Sequence, residues 1–149
     1  MPYDKEELEK FRLSGRILRE TREEMKTYVQ ENMLVIDVCE KVEGLIRAKG
    51  GKPAFPCNVS INEVAAHYTS PPNDTLRIPE GSTVKVDLGV HVDGYVTDTA
   101  FTVSFNPEGR SMANTAEQAL NREQPEGPAA VIYRTHKGRG VSFMEDDAH

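Results

Sequence analysis

The chain has 149 residues, 38% of them hydrophobic and 28% charged, with a formal net charge of -6. That length suits one modest domain able to bury a core, and the balance points to a soluble, globular chain rather than a disordered one. The acidic excess argues against a nucleic-acid partner, because phosphate binding wants clustered Lys and Arg.

The one basic group, Arg134, His136, Lys137 and Arg139, reads as a solvated loop. No apolar run approaches membrane-span length, and the polar, acidic stretch from Met1 to Glu7 is no signal peptide. A cytoplasmic location without a membrane partner is therefore expected. Cys39 and Cys57 form no CxxC and are expected to be reduced thiols.

Taken in chain order, Leu8, Phe11, Ile17, Leu18, Met25 and Tyr28 recur at roughly helical spacing and predict a long helix from about Lys5 to Gln30. Asn32-Met33 breaks it. A second helix is predicted from Asp37, read as its N-cap, to Lys49, where Gly50-Gly51 stops it. Five prolines between Pro53 and Pro79 then exclude long helices, leaving room for a short turn between Ile61 and His67.

The clearest β signal follows. Thr83 to Val90 alternates apolar and polar residues, Asp93-Gly94 supplies a hairpin turn, and Val96 to Val103 returns with the same alternation. A third helix is expected from about Ser111 until Pro125, and a short strand at Val131-Ile132-Tyr133. Glu145 to His149 reads as a charged, frayed tail.

Asp87 and Asp98 are the candidates for chemistry. Each is the single acidic side chain inside its strand, against β propensity. The hairpin brings them near each other, with cross-strand neighbours about 5 Å apart at Cβ. Carboxylates that close repel unless a cation sits between them, and hard divalent cations prefer such oxygen ligands. Spacing alone leaves equally open that both face solvent on an edge hairpin. Asp93 is read as a turn residue.

The segments Gly51-Lys52-Pro53-Ala54-Phe55-Pro56 and Asn58-Val59-Ser60-Ile61-Asn62-Glu63-Val64-Ala65-Ala66-His67-Tyr68-Thr69, with the hairpin from Val86 to Ala100, resemble the type 2 methionine aminopeptidases, especially their archaeal form. The resemblance runs from about Leu8 to about Asn121. It implies an α/β (α+β) pita-bread (creatinase/aminopeptidase) fold, of which residues 1–121 would be the N-terminal half. Residues 122–149 resemble nothing in the family and are expected to be a frayed or non-native tail.

The implied activity is removal of the initiator methionine from nascent polypeptides, using two divalent metal ions (cobalt, manganese, iron or zinc). Asp87 and Asp98 map to metal ligands. His67 maps to the family's catalytic, substrate-contacting histidine, and Phe55, Pro56, Asn58 and Ile61 would shape the methionine pocket. His91 receives no chemistry. The family's other ligands, one histidine and two glutamates, lie in its second half, which a second chain could supply here. Two other readings compete: a proline-cleaving peptidase of the same fold, and a non-catalytic binding module that keeps the fold and loses ligands.

Overall fold

The computed structural model describes residues 3–64 and 66–121. The chain divides into two compact units, Met1–Asn114 and Thr115–His149. The expected strand at Val131-Ile132-Tyr133, the basic group at Arg134 to Arg139 and the tail at Glu145 to His149 lie outside the described residues.

Helix α1 spans Lys5–Tyr28. Asp4 and Glu7 form a capping box at its start, each side chain accepting the other's backbone N–H. Its inward face is Ser14, Ile17, Leu18, Thr21 and Met25. Leu8, expected on that face, is 41% exposed. Asn32, with φ 66°, makes the expected break.

Helix α2 spans Val35–Ala48 and starts earlier than expected. Asp37 is not its cap but lies in its first turn, where a carboxylate suits the helix dipole. The N-cap is Leu34, which has no side-chain cap. Tertiary pairing replaces it: the Val35 N–H donates to the Leu76 carbonyl, and Leu34 bridges Arg77.

Among the described residues the sheet has four antiparallel strands: β1 (Lys52–Pro53), β2 (Asn58–Ile61), β3 (Thr83–Val92) and β4 (Tyr95–Ser104). The central strand is β3. β4 pairs along its whole length, while β1 and β2 pair with successive parts of it. Asp93 and Gly94 both have positive φ, 51° and 90°, as the two-residue turn of a twisted hairpin requires.

Val84, Val86, Leu88 and Val90 of β3 are at most 1% exposed and form the core with Val59, Phe101 and the buried faces of α1 and α2. Ser14 ties α1 to this face by donating to the Val90 carbonyl at 2.9 Å. The opposite face presents Lys85, Asp87, Gly89 and His91 of β3 beside Val96, Asp98, Ala100 and Thr102 of β4. Those four β4 residues are exposed.

Helix α3 spans Pro107–Asn121. It begins at Pro107 rather than Ser111 because Asn106 caps it, its Oδ1 accepting the Gly109 N–H at 2.7 Å. The second compact unit begins within this helix. No helix among the described residues is long and apolar enough to cross a membrane.

Candidate metal centre

The two-residue turn fixes the register of the hairpin. Asp87 stands opposite Ala100, and Asp98 stands opposite Gly89. The two aspartates therefore share a face but are diagonal rather than directly opposed, a spacing of about 7–8 Å in the backbone. Their carboxyl groups still interact. The Asp98 carboxyl is held above its ordinary value, first by partial burial and then by the nearby Asp87 charge.

This donor set suits a hard divalent cation, which would relieve the repulsion. It supplies two ligands. Among the described residues, no group of three or more His, Cys, Asp or Glu side chains comes together to hold a metal.

Phe55 is brought to the same face by main-chain pairing. The Ala54 N–H donates to the Gly89 carbonyl at 2.9 Å, and the next side chain, Phe55, lies over Gly89. A Cβ at Gly89 would collide with the Phe55 ring, the second-nearest ring atom lying 2.9 Å away. An apolar surface thus lies over the residue that directly opposes Asp98. Sequence reasoning did not single out Gly89. Its signal was a glycine inside an otherwise regular strand, which often marks close approach of another group.

Asn58 stands opposite Asp87 on the other edge of β3. Its Oδ1 accepts the Thr69 hydroxyl at 2.6 Å, and the Val59 N–H donates to the Tyr68 carbonyl at 2.8 Å. These bonds seat the loop carrying His67 along β2. His67 is exposed and has φ 65°, a left-handed conformation uncommon outside glycine. It makes no side-chain hydrogen bond among the described residues.

Asp74 organises the far side of that loop. It accepts from the Tyr68 hydroxyl at 2.8 Å, the Ser70 hydroxyl at 2.6 Å and the Leu76 N–H at 2.9 Å. The Ser70 and Leu76 bonds hold its carboxyl below the ordinary range. Neither Thr69 nor Asp74 was picked out from sequence, since nothing local marks their partners.

Ile61 stands opposite Val84 and packs against the core, not on the aspartate face. Pro56 is exposed between Phe55 and β2. His91 accepts the Gly94 N–H on its Nδ1 at 3.2 Å and so buttresses the turn.

A family model for metallopeptidase family M24 matches residues 9–123, close to the limits read from the motifs. The chain belongs to metallopeptidase family M24. It is 44% identical over 115 residues to a methionine aminopeptidase of Saccharolobus solfataricus and 46% identical over 112 residues to one of Methanocaldococcus jannaschii. These matches cover 77% and 75% of this chain but 38% of each relative. The chain thus spans well under half the length of these curated M24 relatives.

Among solved structures, a methionine aminopeptidase from Thermotoga maritima aligns with a TM-score of 0.71 at 23% identity, over 80% of this chain and 52% of that one. An X-Pro aminopeptidase from the same organism aligns with a TM-score of 0.64 at 20% identity, over 82% of this chain and 36% of that one. The fold is part of the pita-bread fold of these enzymes, with the helices and strands of this chain covering one portion of it.

Proposed function

We propose that this M24 chain carries the aspartate-and-pocket portion of a methionine aminopeptidase, an enzyme that removes N-terminal methionine from polypeptides in the cytoplasm. The observation that carries this reading is the Phe55 ring lying over Gly89, directly across β3–β4 from Asp98 and beside Asp87. An apolar side chain held there would place its own backbone next to the two carboxylates. The identity to proteins named methionine aminopeptidase supports this substrate over a proline-containing one.

In this reading Asp87 and Asp98 hold two divalent ions (cobalt, manganese, iron or zinc) together with ligands from outside the described residues. Ions held by these residues would supply hydroxide near neutral pH and polarise a carbonyl. Phe55 and Pro56 receive the methionine side chain, with Asn58 bordering the site. His67 contacts the substrate near the scissile bond, on a loop seated by Thr69 and Tyr68.

The test is methionine release from a Met-Ala-Ser peptide with added manganese, beside an Ala-Pro-Ser peptide. With a separately expressed C-terminal portion of an archaeal relative added, the expected result is methionine release that Asp98→Asn abolishes and Phe55→Ala weakens mainly through KM. Release untouched by Asp98→Asn, or cleavage of the proline peptide alone, would overturn the reading. Absence of release from the folded chain, restored by adding that C-terminal portion, would support it. Absence in both would sink it.

A further inference from the structure

The two cysteines, 18 residues apart in sequence, meet in the fold. Cys39 lies on the inner face of α2 and Cys57 immediately precedes β2; both are free, with 7% and 2% exposure. The Cys39 thiol donates to the Cys57 carbonyl oxygen at 3.5 Å, and the Cys57 Sγ lies 4.0 Å from the Asn58 carbonyl oxygen. Both line a pocket of about 230 Å³ with Ile36, Glu40, Glu43 and Ser70, so small solutes can reach them despite their burial. Among the described residues, no group of three or more His, Cys, Asp or Glu side chains gathers to hold a metal.

We propose that Cys39 and Cys57 are an oxidisable dithiol that a hydroperoxide closes to a disulfide, pinning α2 to the strand that borders Asp87. Cys39, the more exposed of the two at 7% against 2%, is the attacking thiol. The Cys57 thiol and the Ser70 backbone hold its proton affinity below the usual thiol range, whereas the neighbouring Cys39 and burial push Cys57 up. The Cys39 thiolate attacks one peroxide oxygen and breaks the O–O bond. The departing oxygen takes the thiol proton and leaves as water, or as an alcohol from an alkyl hydroperoxide. The Cys57 sulfur then attacks the Cys39 sulfenic sulfur, forms the S–S bond and expels a water that carries the Cys57 proton. Two electrons pass from the sulfurs to the peroxide.

Closure would lock the residue before Asn58 and hence the edge of β2 that seats the His67 loop. This inference does not depend on the proposed aminopeptidase activity.

The test is brief exposure of the 149-residue chain to hydrogen peroxide, followed by alkylation and non-reducing peptide mapping. The expected product is an intact monomer lighter by about 2 Da, in which the peptides carrying Cys39 and Cys57 are joined and a thiol reductant releases them. Cys39→Ser should abolish the link and slow loss of the remaining thiol at least several-fold, while Cys57→Ser should leave a sulfenic acid on Cys39 that dimedone traps. Two thiols still free to alkylation in the folded protein, linkage only between separate chains, or faster oxidation at Cys57 would overturn the proposal.

Discussion

Asp98 shows how one residue can serve a site at the expense of the fold. Its carboxyl is held above the ordinary value of 3.8 by partial burial and by Asp87. A raised carboxyl contributes stability only while protonated, so this contribution is present at low pH and is lost as pH rises through the raised value. At neutral pH without metal, Asp98→Asn should therefore raise the urea midpoint, and the gain should disappear as pH falls below about 4. The same variant should bind manganese more weakly. A midpoint lowered at pH 7 would show that the carboxylate is satisfied by another group.

Gly89 makes the opposite case, a residue whose missing side chain matters. The Phe55 ring occupies the space a Cβ would fill, and the nearest contact is to a ring held by β1 pairing rather than to a flexible chain end. Gly89→Ala should destabilise by about 1–3 kcal/mol through forced displacement of that ring. Equilibrium urea unfolding measures the cost, and the near-ultraviolet signal of aromatic packing reports the ring.

At the scale of elements, the loop between β2 and β3 holds no helix or strand among its described residues yet must place His67. Asp74 does this work with three accepted hydrogen bonds. Asp74→Ala should speed proteolytic cleavage between His67 and Leu76 several-fold while leaving the helices intact by circular dichroism. The depressed Asp74 carboxyl contributes stability fully above the ordinary value of 3.8 and loses it as pH falls through the depressed value. Loop protection in wild type should fade in that acidic window and not above it.

Helix α2 shows a related dependence on distant chain. The sequence offers Asp37 as a cap, but the helix starts at Val35 because Leu76 and Arg77 of the proline-rich stretch supply partners. A cap donated from elsewhere leaves no local pattern, whereas the α1 capping box of Asp4 and Glu7 is written within four residues.

For the molecule as a whole, ligand number governs metal affinity. The described residues bring together two carboxylates and no third ligand. Affinity for a divalent ion depends on ligand number and on their orientation by neighbouring groups. The isolated chain should therefore bind manganese only in the millimolar range, measured by titration calorimetry, and tighter binding should appear when the remaining family sequence is supplied. Micromolar binding by the chain alone would mean that residues 122–149 contribute ligands.

By itself the sequence determined the long helix α1, the hairpin and its turn, and membership of family M24. Each depends on local periodicity, on a two-residue turn motif or on uncommon residues in order. It marked Asp87 and Asp98 because a carboxylate inside a strand runs against local preference. Only the tertiary structure decided that the pair is diagonal, that Ile61 turns to the core, that Phe55 covers Gly89 and that Cys39 meets Cys57. Those arrangements come from register and from packing between segments far apart in the chain, and no local pattern records which distant surface a side chain will meet.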